Sequence, residues 1–335
     1  MALQLKDYRL PPALEVIKGN IVKYGNPLAL NGTEISQWAK GLELPREGDV
    51  LLFTGGEYQL VSYIDSLMQA MTRVEQGSTA FSLLMGARNL FDRVGINAEK
   101  IFASVTARDW ARFNQIPFKA AVILRELGEE VCYLGEREVY SGGLLYEFGY
   151  WEELQSHARQ VAELFRRTGA GKVICLSPHA AEVFKLVYPR IIDDFDLEIT
   201  TFVEAVWELA QRNGSIKVDY AGTVTIHDSC RLARDLGIDA EIRNLLAVAD
   251  GVRVVEAERN RRWTSCCGGP AKVLFPEIAS ALAAHRVDEL ATTGADLALT
   301  FCPYCTAALQ AGAEKNGTPM VVEDFIEFLY RGVAR

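Results

Sequence analysis

The sequence has little of what a membrane protein or a nucleic-acid-binding protein needs. Its 335 residues contain no apolar run near the roughly 18 residues of a membrane-spanning helix. The formal net charge is −9 and there is no basic stripe, so we expect neither nucleic acid nor a membrane surface as a partner. The first residues lack the layout of a signal peptide, which indicates a cytoplasmic protein.

Nucleotide-binding motifs are also missing. The turn at Gly55 and Gly56 is not followed by the Gly-Lys-Ser/Thr of a phosphate-binding loop, and no Gly-x-Gly-x-x-Gly opens a strand–helix unit. The sequence therefore gives no support to a nicotinamide or nucleotide site. What it does contain is 49% hydrophobic residues, enough for large buried cores.

Strand-like and helix-like segments alternate along most of the chain. Residues 1–47 are rich in turn signals and are predicted to form an extended N-terminal arm with one or two short helices. The predicted strands are 49–54, 129–134, 172–176, 197–202, 222–227, 252–257, 295–301 and 319–324. This alternation predicts an α/β fold of mostly parallel sheets flanked by helices.

The two halves of the chain share the same order of parts. The stretch "VICLSPHAAEVFK" matches "LTFCPYCTAALQ", and "YSGG" matches "CCGG", which indicates an internal duplication. We therefore predict duplicated halves over 48–215 and 216–335, with residues 59–128 as a helical insertion in the first. The first copy has the same order of strands, turns and helices but has lost most of its cysteines.

Five of the seven cysteines are concentrated in the last third of the sequence, where they occur in three groups. They are Cys230, Cys266, Cys267, Cys302 and Cys305. In a reducing compartment such clustering points to metal or redox chemistry rather than to disulfides. Each group follows a predicted strand, and ligands of open parallel sheets gather at the carboxyl ends of strands. The three loops are therefore predicted to hold one inorganic centre.

The neighbours of these cysteines favour a centre with negative charge. Gly268 and Gly269 allow close approach of the backbone, whose N–H groups can bond to anionic sulfur. Pro303 suits the first turn of a helix, which would direct its positive end at a thiolate-bound anion. Tetrahedral zinc would use four of the thiolates, whereas an iron–sulfur centre can use all five, and soft thiolates suit both. The residues favour iron–sulfur by ligand number and leave zinc as the alternative.

The cysteine pattern resembles a known family. Cys230 in "IHDSCRLAR", the doublet Cys266-Cys267-Gly268 and Cys302-Pro303-Tyr304-Cys305 are similar to the cysteine-rich CCG domain of the B-type and D-type chains of heterodisulfide reductase. Iron–sulfur subunits of glycolate and lactate oxidation systems are relatives of that family. The resemblance implies that the five cysteines are ligands of a noncubane [4Fe–4S] centre and the catalytic thiols, with Gly268 and Gly269 in its binding loop.

The first half departs from the family pattern. Gly56 stands where the opening cysteine belongs, and Tyr140 and Ser141 stand where the doublet belongs. Only Cys175 remains of the CxxC motif, with Pro178 at the place of its partner. The resemblance therefore implies one centre rather than two.

The resemblance also implies partners. The chain has no CxxCxxCxxxCP run, so electrons must come from a ferredoxin-like iron–sulfur subunit, with a flavoprotein subunit behind it. The expected function is electron transfer in a multi-subunit oxidoreductase, and reduction of a small disulfide or a thiol carrier protein stays open. One alternative is an electron relay between a flavoprotein oxidising a hydroxy acid or acyl thioester and an acceptor. Another is a docking subunit stabilised by zinc.

Several residues outside the cysteine set have two interpretations. His227, three residues before Cys230, is predicted to be catalytic through a hydrogen bond to sulfur or a proton relay, against a histidine satisfied by backbone. Asp228 is expected to cap a turn or helix. Arg286, like Arg234, is weighed between steering an anionic partner and a solvated helix face. His179 near Cys175 is considered as a residual metal ligand.

Overall fold

Two parallel β-sheets form the framework of the protein. The computed structural model describes residues 12–61, 110–213 and 216–333. The first sheet has the strand order β1-β2-β3, and the second has the order β5-β4-β6-β7. The strands are β1 (Val50–Phe53), β2 (Lys172–Cys175), β3 (Glu198–Thr201), β4 (Gly222–Ile226), β5 (Val252–Val254), β6 (Leu297–Thr300) and β7 (Val321–Asp324). Each sheet takes its strands from one half of the chain, and the predicted α/β class is confirmed.

One predicted strand is wrong. Residues 129–134 make only an isolated parallel bridge, between Leu51 and Cys132. Cys132 donates from its N–H to the carbonyl of Val50 at 2.8 Å and accepts from the N–H of Leu52 at 2.9 Å. A short 3-10 turn, Gly135–Arg137, follows at once and turns the chain away from the sheet. The apolar run therefore covers the edge of β1 without extending the ladder.

Helices fill the connections between the strands, as the sequence predicts. They are α1 (Pro12–Tyr24), α2 (Gly32–Ser36), α3 (Trp110–Glu126), α4 (Gly143–Glu147), α5 (Trp151–Arg166), α6 (Pro178–Glu182), α7 (Phe202–Asn213), α8 (Ala240–Ala247), α9 (Pro276–Ala291), α10 (Pro303–Asn316) and α11 (Phe325–Tyr330). Two π-helical segments lie beside them, Val183–Val187 after α6 and Arg231–Asp235 after Cys230. Wide turns of this kind are common at functional sites.

The N-terminal segment is folded onto the first sheet rather than extended. A capping box at Asn31 begins α2, in which the Asn31 side chain accepts from the N–H of Glu34 at 2.9 Å. Ile21 and Ile35 are buried in the same core as Leu51 and Phe53. Since these apolar groups leave water together, the segment contributes to the core of the first half.

The two halves share a continuous core. One buried cluster joins Ile174 and Phe202 of the first half to Val224 and Phe325 of the second. The hydroxyl of Tyr58 donates to the buried Asp324 carboxylate at 2.9 Å across the same boundary. The carboxyl-end loops of the two sheets therefore lie next to each other.

Part of the predicted helical insertion is seen. Helix α3 lies at its C-terminal end, whereas the "SLLMGARNLFDRVG" segment falls outside the described residues. Among the helices in the described ranges, none is long and apolar enough to cross a membrane.

Candidate metal centre

Three loops at the carboxyl edge of the second sheet carry the five cysteines. Cys230 follows β4, the Cys266-Cys267 doublet follows β5, and Cys302 to Cys305 follow β6. Strand β4 lies between β5 and β6, and all three are parallel. The loops therefore leave neighbouring strands in the same direction and meet at one edge.

The five thiols form a contiguous set. The sulfur atoms of Cys267 and Cys305 are 3.2 Å apart. Cys230 contacts Cys266, and Cys266 contacts Cys267. Cys302 contacts Cys305 within the CxxC turn. All five are free thiols, so residues distant in sequence bring reduced sulfur to one place without forming a disulfide.

The set has a buried side and a more accessible side. Cys267, Cys302 and Cys305 are buried, whereas Cys230 and Cys266 are partly exposed. A groove of about 550 Å³ between α9 and α10 also reaches Cys267. Its lining includes Lys272 and Lys315. Because Glu277 also lines the groove, the two lysines give it a small excess of positive charge, which favours a small anionic molecule.

The pKa values of the thiols move in opposite directions. Hydrogen bonds from Cys230 and Cys267 lower the pKa of Cys266 to about 2, with further help from the N–H of Gly268. The same contact with Cys266, together with burial, raises the pKa of Cys230. The pKa of Cys302 is lowered, first by its hydrogen bond with Cys305. The pKa values of Cys267 and Cys305 are raised, first by their hydrogen bonds with neighbouring thiols. Thiolates are the metal-binding form of cysteine, and the set stabilises negative charge on the sulfur atoms of Cys266 and Cys302.

The glycine pair gives the doublet loop its shape. Gly268 has φ of +80°, and a Cβ at this position would lie 2.6 Å from the carbonyl oxygen of Ala279. Its N–H donates to the sulfur of Cys266 at 3.3 Å. Glycine is therefore required both by the left-handed backbone and by the closeness of α9.

Helix α10 begins next to the sulfur of Cys302. Pro303 occupies its first turn, as predicted from the sequence. The N–H groups of Tyr304 and Cys305 help to lower the pKa of Cys302. The positive end of the helix thus faces the thiol set, which suits an anionic thiolate.

His227 lies against the same sulfur atoms. Its donor atom and those of Cys267 and Cys305 are all within 4.8 Å of one another. The Nε of Arg286 donates to His227 Nδ1 at 3.1 Å, while Nε2 is buried without a hydrogen-bond partner in the described part of the chain. Burial and then the nearby Arg286 charge lower the pKa of His227 to about 3.

The contact with Arg286 fixes the tautomer of His227. A guanidinium only donates, so Nδ1 must be unprotonated and the single proton of the neutral ring sits on Nε2. The ring therefore offers an N–H donor and no second lone pair. This arrangement suits a hydrogen bond to sulfur better than metal ligation. Of the two interpretations from the sequence, backbone satisfaction does not describe this side chain.

Arg286 differs from both interpretations drawn from the sequence. Its side chain is fully buried, and it forms an ion pair with Glu289 at 2.9 Å. The sequence offered no signal for this, because the helical spacing of α9 does not tell a buried arginine from a solvated one. Arg286 is a positioning residue for His227.

Asp228 and Arg234 hold the loops together. The buried Asp228 carboxylate pairs with Arg243 at 2.9 Å and accepts from the N–H of Arg261 at 2.6 Å. Arg234 donates to the carbonyl of Thr264 at 2.7 Å. Asp228 therefore satisfies a backbone N–H, as a capping residue does, but that N–H belongs to the doublet loop rather than to the helical turn that follows Asp228.

The carboxyl edge of the first sheet, as far as the structure describes it, carries no comparable set of thiols. Cys175 ends β2 and is buried, and so are Tyr140 and Ser141, the residues that the sequence comparison aligned with the doublet. Gly56 has φ of +65° in the turn after β1. The interpretation of His179 as a metal ligand beside Cys175 gains no support, since its ring contacts among the described residues are with Glu57, Glu147, Tyr140 and Tyr304 rather than with Cys175.

Comparison with known proteins defines the class first. Residues 224–310 match the CCG family, a cysteine-rich domain, and this stretch contains all five clustered cysteines. The chain therefore carries a CCG cysteine-rich domain, as its sequence motifs indicated.

Individual relatives extend the likeness beyond that domain. The chain is 31% identical over 229 residues to the D-type chain of dihydromethanophenazine:CoB–CoM heterodisulfide reductase from Methanosarcina mazei, covering 65% of this chain and 56% of that protein. It is 27% identical to the probable iron–sulfur-binding oxidoreductase FadF of Bacillus subtilis, covering 66% of this chain and 32% of FadF. Lactate utilization protein A of an Exiguobacterium strain is 26% identical, with 68% and 96% covered. The chain thus spans about half the length of the Methanosarcina protein, and it is homologous to these proteins.

Proposed function

We propose that this chain is the iron–sulfur subunit of a multi-subunit oxidoreductase, and that its five clustered cysteines hold one noncubane [4Fe–4S] centre. The observation that carries the proposal is the contact of all five thiols across three loops. Relationship to the D-type chain of heterodisulfide reductase supports the same assignment.

The donor set fits an iron–sulfur centre. Five soft thiolates exceed the four ligands of structural zinc. An iron–sulfur centre held by these thiolates would carry negative charge, and the N–H of Gly268, the positive end of α10 and the nearby His227 would favour that charge. Burial of three of the cysteines limits access of water. Such a centre would supply one-electron redox chemistry.

Reduction of a small disulfide is the reaction we propose for the chain. The S–S bond of the substrate breaks, two electrons come from a ferredoxin-like subunit with a flavoprotein behind it, and two protons complete two thiols. The groove that reaches Cys267 offers an entry, and its two lysines against one acid, Glu277, favour an anionic disulfide, either a small molecule or a disulfide of a thiol carrier protein. A ring nitrogen of His227 lies within 4.8 Å of the sulfur atoms of Cys267 and Cys305, so the residue is placed to stabilise a thiolate as it forms.

An electron relay is the second candidate. Relatives of the chain include lactate utilization protein A and an EtfAB:quinone oxidoreductase, whose names refer to other donors and acceptors. In this role the chain passes electrons from a flavoprotein to an acceptor, and its cysteines bind no substrate. The two candidates differ in whether a disulfide reoxidises the reduced protein.

Metal content tests the assignment. Protein purified without oxygen should contain about four iron and four acid-labile sulfide per chain and absorb visible light. Cys267→Ser should reduce both contents to background, whereas Cys132→Ser, a buried thiol of the first half, should leave them unchanged. Colourless protein with one zinc would overturn the proposal in favour of the zinc-stabilised docking subunit.

Reoxidation separates the two redox functions. The reduced protein is mixed with a small anionic disulfide, and thiol release is measured alongside the loss of the reduced spectrum. Release of two thiols per two electrons supports disulfide reduction. Reoxidation by a quinone without thiol release supports the relay.

We also propose the division of the chain into 1–47, 48–215 and 216–335, with the centre in the last part.

A further inference from the structure

A second buried polar cluster lies at the carboxyl edge of the first sheet. The Glu57 side chain is fully buried and accepts from the hydroxyl of Ser177 at 2.5 Å and from that of Ser141 at 3.3 Å. The Nδ1 of His179 lies 3.8 Å from Glu57 Oε2. Both ionisable groups are outside the proposed centre, and the disulfide chemistry above does not use them.

This cluster faces the CxxC turn. The His179 and Tyr304 rings meet edge to face with centroids 5.9 Å apart. The Tyr140 hydroxyl lies 3.3 Å from His179 Nδ1 and interacts with the hydroxyl of Tyr304. Tyr304 itself stands between Cys302 and Cys305. The two carboxyl edges thus meet through a single layer of side chains.

The cluster has a surplus of carboxyl groups. Arg231, the residue after Cys230, forms ion pairs with Glu147 and Glu182. Glu147 Oε1 is also 3.2 Å from His179 Nε2. One guanidinium therefore faces two carboxylates, and Glu57 adds a third acid.

The other titratable groups around the pair do not relieve this surplus. Tyr140, Tyr304, Cys175 and Cys302 also lie near Glu57, and each is neutral or negative. Lys185 lies near Cys175, but its charge is paired with Glu204 at 2.9 Å. Burial raises the pKa of Glu57, because its charged form is poorly solvated there. Added negative charge nearby favours protonation further, since charges interact strongly in a weakly polar interior.

We propose that Glu57, hydrogen-bonded to Ser177 and Ser141 and next to His179, binds one proton when the centre held by the five cysteines gains one electron. This inference rests on the proposed function. The electron comes from the ferredoxin-like partner, or from dithionite in a titration, and the proton comes from solvent. The electron is then received by the second half of the chain, and the proton is bound in the first half, from which a product thiol can take it.

The test is the pH dependence of the reduction potential. The protein is titrated anaerobically with dithionite at several pH values between 6 and 8, and the potential is read from the visible spectrum. Uptake of one proton per electron lowers the potential by about 59 mV for each tenfold fall in proton concentration. We expect this slope in the wild type, and a slope near zero in Glu57→Gln and in His179→Gln.

His157→Gln is the matched control. His157 is also a buried histidine of the first half, but its Nε2 lies 2.6 Å from the backbone carbonyl of Tyr140 rather than beside Glu57. Its loss should leave the slope unchanged. A pH-independent wild-type potential overturns the inference even if no variant folds. A slope that persists in Glu57→Gln overturns it as well. Failure of the proposed function is a different result, since the protein would then lack iron and sulfide.

Discussion

The carboxyl edges of the two sheets share one framework and differ in chemistry. In the second half, the loops after β4, β5 and β6 supply five thiols. In the first half, the loops after β1 and β2 supply Glu57, Ser177 and His179 instead. The comparison teaches that the parallel sheet fixes where side chains converge, whereas the loop residues decide what they can bind.

The glycine pairs provide the strongest test of this comparison. Gly268→Ala should lower the free energy of unfolding by about 4 kcal/mol, because it combines a left-handed backbone with a contact to the α9 backbone. Gly142 is the residue of the first half that the sequence comparison aligned with Gly268. It has φ of +84°, and an added Cβ would lie 3.0 Å from the His157 ring. Gly142→Ala should cost about 2 kcal/mol, since a side chain can shift more easily than a helix backbone.

Gly294→Ala is the control for backbone strain alone. Gly294 has φ of +68°, and nothing lies within 4 Å of an added Cβ. Its replacement should cost about 1 kcal/mol, as expected for the left-handed conformation without a clash. Urea unfolding measures all three variants. Equal effects for Gly268→Ala and Gly294→Ala would contradict the described approach of α9 to the doublet loop.

The ion pairs of Arg231 connect the two edges and should have the next largest effect. Arg231→Met leaves Glu147 and Glu182 without their partner, and the side chains of these acids are only 14% and 11% exposed. We expect a loss of about 3 kcal/mol in the free energy of unfolding, since removing one partner leaves the other charge buried and unpaired. The double variant Glu147→Gln with Glu182→Gln in the Arg231→Met background should restore part of the loss.

Arg166→Met is the matched surface control. Arg166 pairs with Glu163 at 2.8 Å, but both side chains are about half exposed. Its removal should change the free energy of unfolding by less than about 1 kcal/mol, because solvent screens such pairs. If Arg166→Met and Arg231→Met destabilise equally, the ion pairs at the edge are not energetically distinct from surface ones.

Much of the framework was predictable from the sequence, because each strand of a buried parallel sheet is a short apolar run with helical spacing on either side. The seven strands of the described residues all fall within predicted ranges. The prediction of a strand at 129–134 was wrong because a segment that makes a single bridge to β1 is buried in the same way, and has the same apolar pattern, as a strand of the ladder. Composition alone cannot distinguish one pair of backbone hydrogen bonds from several.

The candidate site was predictable only in part. The cysteine spacing indicated that the thiols meet, since residue type and loop position both appear in the sequence. The tautomer of His227 depends on Arg286, which is 59 positions away and reaches it only through packing of α9. The Glu57–His179 pair was missed for the same reason. A buried acid after "TGG" and a histidine after "SP" carry no local signal of their contact.

Buried carboxyl groups in the two halves give a third test, spread over several pH units. Burial raises the pKa of Glu138 in the first half and of Asp324 in the second to about 7 each. Both acids bind a proton more tightly when folded than when unfolded, where their pKa is about 4. The stability that each contributes is therefore full below about pH 4 and is lost as pH rises towards 7.

Single replacements should remove that pH dependence one acid at a time. Glu138→Gln and Asp324→Asn should each flatten the curve of unfolding free energy between pH 4 and 7 by up to about 1.4 kcal/mol per pH unit. Chemical unfolding at several pH values measures the curve. If only one variant flattens it, the two sheets do not bury their acids alike. If neither does, the raised pKa values are wrong.

The smallest expected effect concerns Cys175, the cysteine of the first half that the sequence comparison aligned with Cys302. Cys175 lies fully buried at the end of β2, beside Phe53 of β1 in the ladder. Burial, followed by the Glu57 charge, raises its pKa well above the ordinary value, so the thiol stays protonated and unsuited to bind metal. Cys175→Ala should therefore cost only the packing of one sulfur atom, about 1 kcal/mol. Iron content should not change, whereas Cys302→Ala at the matching position of the second half should abolish it. Loss of iron in Cys175→Ala would mean that the two edges share ligands, and the contrast between them would fail.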